Sequence, residues 1–311
     1  MRIHADVSST WARMALTHCA FHGLTATVLA DLAVELAPTW QAAREDRLLS
    51  QRGRPRQRAA GAGRSPTVVF TDALLITLAY LRTGITQQLL GVLFGVDQST
   101  ISRAICLLRP LIAARGFATP DRGPRLRELA DVLAYAESTG FDLCLDATDI
   151  TVRRPPAGKA GRRRFVSGAK RRNTIKTTVI GDQAGRLLYA GAMRPGRMHD
   201  QTAVKTQGID DLLQHFQRVR IWADEGYRGL SRDHPGQVIT KPPLPNDLPP
   251  DIEQAIIDAR KAHCQQRIPI EQIIGRMKNW KTLAHYPGRR ETLPETILAV
   301  TSLVSDLTAT R

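Results

Sequence analysis

The sequence lacks the cysteine pairs that a disulfide framework or a zinc site would require. Its four cysteines are scattered, with no C-x-x-C pair and no histidine at metal-ligand spacing. No stretch reaches the roughly 18 apolar residues of a membrane span, and the N-terminus has no charged start followed by an apolar run. We therefore expect a soluble protein of the reducing cytoplasm.

Acidic residues are scarce relative to basic ones. The 311 residues contain 44 Lys and Arg against 29 Asp and Glu, which gives a formal net charge of +15 at pH 7. Most of the basic residues are arginine, whose planar guanidinium makes paired hydrogen bonds to phosphate. The charge predicts a polyanionic partner, with nucleic acid first and an acidic membrane surface as the alternative.

The first part of the chain divides by composition. Residues 1–43 are expected to form an N-terminal helical segment, because Leu32, Leu36 and Trp40 recur at helical spacing. Residues 44–66 are rich in Arg, Gly, Ala and Pro and are expected to form a basic linker or arm. That arm is either a solvated tether or a segment that touches DNA.

Residues 67–118 are expected to form a helix-turn-helix DNA-binding domain. The run ITQQLLGVLFGVDQSTISRAICLL predicts a helix, a tight turn at Gly95 and a second helix from Gln98 to Leu108. Small polar residues open the second helix, as in a helix that enters the major groove. The residues predicted to contact DNA are Gln98, Ser99, Thr100, Ser102 and Arg103. An ordinary pair of packed helices is the alternative.

After Pro120 the periodicity changes from helical to strand-like. The predicted strands are residues 141–148, 173–182, 186–194, 219–226 and 236–240, which are bounded by Gly, Asp and Pro. Helices intervene after the third strand, and a final long helix is expected from about Pro269. This order predicts an α/β domain over residues 138–305, built on a sheet of mixed strand direction.

Three carboxylates occupy positions where such a sheet can bind ligands. Asp146 and Asp224 each follow an apolar run at the predicted end of a strand, and Glu271 lies near the start of the final helix. Taken singly, each acid fits a helix cap, a turn or a solvated charge. If they converge, their oxygens suit hard divalent cations, which act in pairs in phosphoryl transfer.

Three motifs resemble insertion-sequence transposases and the related Harbinger-like nucleases of the DDE superfamily. LCLDATDITVRRP is similar to the family's strand that carries the first acid, and WADEGYRG is similar to its Ala-Asp-x-x-Tyr turn. RIPIEQIIGRMK keeps the family's spacing of three residues between Arg267 and Glu271 and six between Glu271 and Lys278. A tyrosine usually stands three positions before that arginine, where this chain has Cys264.

The resemblance implies an RNase H-like catalytic domain preceded by the all-α helix-turn-helix domain. It implies that Asp146, Asp224 and Glu271 are the catalytic, metal-binding residues, and that two Mg²⁺ or Mn²⁺ ions are the cofactor. The segment GAMRPGRMHDQTAV also resembles a Gly-x-x-His-Asp stretch of the family, so His199 and Asp200 are further candidates.

Two neighbouring acids are rival ligands. Asp149 follows Asp146 by three residues, and we expect it to orient a loop beyond a turn at Thr148. Glu225 follows Asp224 directly and is expected to point to the other side of its strand.

A basic segment follows the first predicted catalytic strand. Between Thr151 and Asn173 the chain has many basic residues and no acid, which predicts a loop that holds the DNA backbone beside the carboxylates; a solubilising hairpin is the alternative. Its basic residues are Arg153, Arg154, Lys159, Arg162, Arg163, Arg164, Lys170, Arg171 and Arg172. Arg267 and Lys278 of the last motif are also predicted to contact DNA.

As a whole, the resemblance implies a bacterial transposase located at the nucleoid. It implies metal-dependent cleavage and strand transfer of double-stranded DNA, at terminal inverted repeats and a target site, by a homodimer or a higher assembly. A domesticated nuclease or a DNA-binding regulator without strand transfer is the alternative. A ribonuclease is disfavoured, because the deep, narrow major groove of duplex RNA cannot admit a recognition helix.

Overall fold

The computed structural model describes residues 10–55, 66–121, 123–154, 156, 158, 162–246 and 248–309. Residues 1–9 of the N-terminal segment, 56–65 of the predicted linker, and Lys159 of the basic segment lie outside them. Two compact units make up the chain. The first comprises Met1–Arg115, Trp280–Thr282 and Glu295–Leu303, and the second comprises Gly116–Asn279, Leu283–Pro294 and Val304–Arg311.

Helices build the described part of the first unit up to Arg115. Besides the helical residues 10–16, they are α1 (Cys19–His22), α2 (Ala26–Arg52), α3 (Phe70–Thr83), α4 (Gln87–Phe94) and α5 (Gln98–Ala113). α2 continues through the predicted boundary at residue 43, so residues 44–52 are helical where a linker was expected. These residues are mostly good helix formers, and the helix ends only where Gly53 adopts a φ of 68°.

The helices α4 and α5 form the predicted helix-turn-helix. The Thr86 hydroxyl accepts a hydrogen bond from the Leu89 N–H, which caps α4, and Gly95 ends it with a φ of 63°. α5 begins at Gln98, as predicted, and buries Ile101, Ile105 and Leu108. It extends five residues beyond the predicted end at Leu108.

A mixed sheet forms the centre of the second unit. Its strands are β1 (Leu143–Val152), β2 (Thr174–Asp182), β3 (Leu187–Pro195), β4 (Ile221–Ala223), β5 (Val238–Thr240) and β6 (His285–Tyr286). The strand order is β3-β2-β1-β4-β5, and β6 pairs with β1. β1, β2 and β3 are antiparallel neighbours, whereas β4 and β5 run parallel to β1. This topology confirms the predicted sheet of mixed strand direction.

Helices connect and flank these strands. They are α6 (Leu129–Thr139), α7 (Asp200–Lys205), α8 (Ile209–His215), α9 (Arg228–Asp233), α10 (Pro250–Lys278), α11 (Lys281–Ala284) and α12 (Leu293–Ala309). The first two residues of α11 and the stretch Glu295–Leu303 of α12 belong to the first unit. The expected final helix from Pro269 is wrong in two respects: α10 starts at Pro250, and α12 follows it. Pro250 occupies the first turn, where a missing N–H costs nothing, and Pro269 is tolerated inside the helix.

Burial of α10 against the sheet places its side chains beside β1. α10 packs on β1, β2 and β4, and its buried residues include Ile270, Ile273 and Met277.

In the described parts of the chain, no helix combines the length and apolar character needed to cross a membrane.

The contact between α10 and β2 leaves no room for a side chain at Gly181. A Cβ there would collide with Ile273 Cδ1 and lie 2.8 Å from the Arg186 carbonyl oxygen, whereas a Cβ at Gly275 of α10 would meet nothing within 4 Å. We expect Gly181→Ala to lower the free energy of unfolding by roughly 1–3 kcal/mol. Gly275→Ala should raise it by about 1 kcal/mol, because alanine favours helix. Urea unfolding measures both, and an unchanged stability in Gly181→Ala would contradict the packing.

Candidate active site

Parallel pairing of β1 and β4 brings two of the predicted acids to adjacent positions on neighbouring strands. The register pairs Leu145 with Ala223, so Asp146 and Asp224 are the next residues along two adjacent parallel strands. Asp224 follows the last residue of β4, as predicted. Asp146 does not end its strand: β1 continues to Val152, and Asp146 itself pairs with Val179 of β2.

Arg267 of α10 bridges the two carboxylates. Its Nη2 lies 2.9 Å from Asp146 Oδ2 and its Nη1 lies 3.3 Å from Asp224 Oδ1. Only 8% of Arg267 is exposed, so the predicted DNA-contacting arginine lies inside the site. A guanidinium can serve two acceptors at once because its donors form a planar fork.

The surroundings of Asp146 disfavour its charged form. Burial raises the pKa of this carboxyl to about 6, although Arg267 and a hydrogen bond from the Ala147 N–H act in the opposite direction. The nearby charges of Asp224 and Asp200 raise the pKa further. The carboxylate therefore sits where additional positive charge would stabilise it.

Glu271 is not gathered with these acids. It lies one turn after Arg267 on α10 and is exposed, and its side chain forms no hydrogen bond or ion pair with the described residues. Within the described ranges, no group of three or more His, Cys, Asp or Glu side chains is placed to hold a metal ion. The structure thus brings together two of the three predicted ligands.

Asp200, which the sequence indicated only as a further candidate, lies near Asp146. It opens α7, forms an ion pair with Lys176 of β2, and interacts electrostatically with Asp146. Tyr227 is fully buried nearby: burial raises the pKa of its hydroxyl well above the ordinary value, and the charges of Asp200 and Asp146 add to this. The His-Asp pair was the available sequence signal, but nothing in it indicated which acid it would approach.

The rival acids have other partners. The expected turn at Thr148 is wrong, because β1 continues through Thr148 and Asp149. Asp149 Oδ2 accepts a hydrogen bond from Ser167 Oγ at 2.8 Å. Glu225 forms ion pairs with Arg228 and Arg260, at 3.3 and 3.5 Å.

Most of the described basic segment is exposed. Of its predicted DNA-contacting residues, Arg162 is half-buried, and the exposed ones are Arg153, Arg154, Arg163, Arg164, Lys170, Arg171 and Arg172. Lys278 behaves differently, since its Nζ donates to the carbonyl oxygens of Asp149, at 2.6 Å, and Leu283, at 3.2 Å. In this arrangement Lys278 ties the end of α10 to β1.

The predicted recognition helix presents a connected polar face. Gln98, Ser99 and Arg103 are exposed, while Thr100 and Ser102 are half-buried. Arg103 donates to Ser99 Oγ at 3.0 Å and Thr100 Oγ1 at 3.4 Å, so its guanidinium is held at the start of α5.

The donor chemistry fits a hard divalent cation at Asp146 and Asp224. Both contribute carboxylate oxygens, the ligands that Mg²⁺ and Mn²⁺ prefer, and both already share one cation, the guanidinium of Arg267. Glu271 can join them only through a change in its side-chain position or in that part of α10.

The chain belongs to the DDE superfamily endonuclease family, whose sequence model matches residues 145–305. A model of the helix-turn-helix of DDE superfamily endonuclease matches residues 69–118. The chain is 23% identical to a probable transposase for insertion sequence element IS702 from Microchaete diplosiphon, across 72% of this chain and 75% of that protein. It is 26% identical to a putative transposase for insertion sequence element IS112 from Streptomyces albus G, with the same two coverages.

Two solved structures are also similar over most of the chain. They are a pre-cleavage Mos1 transpososome, at 13% identity with 96% of both chains covered, and a mariner Mos1 paired end complex with Mg, at 14% with 95% covered. The TM-score is 0.20 in both cases, so these likenesses add no weight to the assignment.

Lys278 predicts a measurable pH dependence of stability. Burial lowers the pKa of its ammonium to about 8, with Lys170 acting in the same direction and Asp149 opposing. The pKa of Lys278 is therefore lower in the folded chain than in the unfolded chain. Between about pH 8 and pH 10.5 the unfolded chain binds more protons at this residue. The contribution of Lys278 to the free energy of unfolding therefore rises with pH across this window. The stability of wild type relative to Lys278→Met should therefore increase across that window in urea unfolding.

Lys261→Met is the matched control, because Lys261 is an exposed lysine of the same helix. The stability difference between wild type and this control should change little over the same window. If the difference in unfolding free energy between wild type and Lys278→Met stays constant or shrinks with rising pH, burial does not lower the pKa of Lys278.

Proposed function

We propose that this chain is a transposase that binds the ends of its element and catalyses metal-dependent DNA strand cleavage and strand transfer. The observation that carries the proposal is the pair Asp146 and Asp224, adjacent on parallel strands of a DDE superfamily endonuclease domain. Glu271 is the third catalytic residue by the spacing of its motif, which keeps it on the same helix as Arg267.

Asp146, Asp224 and Glu271 would hold two Mg²⁺ or Mn²⁺ ions. When bound, the ions supply Lewis acidity toward the attacking and leaving oxygens of a phosphodiester. In cleavage, a water oxygen bonds to phosphorus and the bond to the 3′ oxygen breaks, which leaves a 3′ hydroxyl. In strand transfer, that hydroxyl bonds to a target phosphorus and one target ester bond breaks, so each step exchanges one bond for another.

The basic residues would hold the substrate for these steps. The exposed arginines and lysines of the segment after β1 offer charge-assisted hydrogen bonds to the phosphodiester backbone. The polar face of α5, with Ser99, Thr100 and Arg103 already in contact, would read base edges of the terminal repeats. Both element ends must be joined, which favours a dimer or a larger assembly.

A second function, DNA binding without cleavage, is favoured by one observation. Arg267 occupies oxygens of both aspartates, while Glu271 stays apart from them. A regulator or a domesticated nuclease would keep the helix-turn-helix and the basic surface but would not need the acids to converge.

Substitution of each acid distinguishes these functions. We expect Asp146→Asn, Asp224→Asn and Glu271→Gln each to reduce Mg²⁺-dependent cleavage of a labelled duplex carrying the element's ends by roughly a hundredfold or more, because each removes preorganised charge from the site. DNA affinity, measured in EDTA by fluorescence anisotropy, should persist in all three.

Glu225→Gln provides the matched control, since Glu225 neighbours Asp224 but pairs with arginines instead. It should cut at close to the wild-type rate. Binding without metal-dependent cutting by the wild type would favour the regulator, and loss of cutting in Glu225→Gln would shift the assignment of the second acid.

Recognition by α5 predicts a second, separable phenotype. Arg103→Gln should weaken binding to the element's ends, because a well-placed arginine contact to a base contributes about 1–3 kcal/mol. Arg218→Gln removes the same charge from an arginine that is exposed in the other unit and should change affinity little. Titrations of the element's ends and of an unrelated duplex test this, because loss of a base contact weakens only the sequence-specific binding, whereas loss of a phosphate contact weakens both and lowers the logarithmic salt slope by about 0.9. Equal effects of the two variants would argue against recognition by α5.

A further inference from the structure

Arg267 is held in the site largely by the two aspartates. Its Nη atoms donate to Asp146 Oδ2 and Asp224 Oδ1, and its Nε has no hydrogen-bond partner among the described residues. With 8% of the residue exposed, water can do little to solvate this guanidinium. Its charge is therefore balanced mainly by the carboxylates themselves.

The same oxygens are those that a divalent ion would need. Asp146 Oδ1 already accepts a hydrogen bond from the Ala147 N–H at 2.7 Å, and Arg267 takes Oδ2. Asp224 is more than half exposed and keeps a second oxygen, whereas both oxygens of Asp146 already accept hydrogen bonds. A cation that binds Asp146 at Oδ2 must therefore share this oxygen with Arg267 or displace the guanidinium. Two positive charges in this partly buried site repel, so displacement is the lower-energy outcome.

We propose that Arg267 competes with divalent ions for Asp146 and Asp224, and that a DNA phosphate relieves the competition by taking over the guanidinium. This inference rests on the proposed function and makes Arg267 a positioning residue that couples substrate binding to metal binding. Phosphate is a suitable second partner, because it accepts the paired hydrogen bonds of guanidinium as well as carboxylate does.

The coupling is reciprocal. If DNA removes the competitor and thereby tightens metal binding, metal must tighten DNA binding by the same factor. The domain would then load its ions mainly when a phosphodiester is present. If Arg267 only held the aspartates in place for the ions, its removal would weaken metal binding instead of tightening it.

The test compares the Mn²⁺ affinity of the wild type with that of Arg267→Gln, using the full chain without DNA. Binding is measured from the electron paramagnetic resonance signal of free Mn²⁺. The variant should bind Mn²⁺ about tenfold more tightly, the usual scale of coupling between sites. Arg276→Gln is the charge-matched control on the same helix, where the arginine donates to the Gly185 carbonyl instead, and should bind Mn²⁺ much as the wild type does.

A DNA arm completes the experiment. A short duplex of unrelated sequence should tighten Mn²⁺ binding by the wild type about tenfold, and most of this coupling should disappear in Arg267→Gln. Arg267→Lys keeps the charge but cannot bridge two carboxylates with a planar fork, so its Mn²⁺ affinity without DNA should fall between the other two. It carries the test if circular dichroism shows that Arg267→Gln does not fold.

Each outcome decides. Equal or weaker Mn²⁺ binding by folded Arg267→Gln, or by Arg267→Lys in its place, overturns the competition while leaving the proposed function intact. Absence of Mn²⁺ binding in every variant, with and without DNA, overturns the proposed catalytic function and the inference together.

Discussion

The parallel pairing of β1 with β4 is the constraint on which the candidate site depends. Once Leu145 is in register with Ala223, the chain must place Asp146 beside Asp224, and a nearby cation stabilises two adjacent carboxylates. Arg267 meets that requirement from α10, whose position is set by burial of its apolar residues against the sheet rather than by the ion pairs. The hydrophobic core therefore determines where the charges meet.

Much of this arrangement follows from local sequence. Apolar runs bounded by Gly, Asp and Pro locate the strands, and the change from helical to alternating periodicity separates the two kinds of structure. Where expectation failed, tertiary contacts overrode a local signal. The Asp-Ala-Thr-Asp run resembles the end of a strand, yet pairing with β2 extends β1 to Val152. Pro269 resembles a helix start, yet packing on the sheet carries α10 through it.

The partners within the site were harder to predict than its members. Motif spacing identified Asp146, Asp224 and Arg267, but it could not show that the arginine would bridge the two acids rather than face solvent. The His-Asp stretch indicated Asp200 as a candidate, but its approach to Asp146 depends on the path of the chain between β3 and α7. Glu271 shows the opposite case. The motif predicts it as a site residue, but the fold does not bring its side chain to Asp146 and Asp224.

The spacing of the last motif has a physical reading that spans these results. Arg267 and Lys278 are eleven residues apart on α10, close to three turns, so both lie on one face of the helix, separated by about 16 Å along its axis. Both reach β1, one through the carboxylate of Asp146 and the other through the carbonyl oxygen of Asp149. Two polar contacts along one strand constrain the rotation of α10, whose position is already set by its apolar burial. Glu271 lies between these two contacts, one turn after Arg267, so they constrain its orientation in addition to the apolar contacts of the helix.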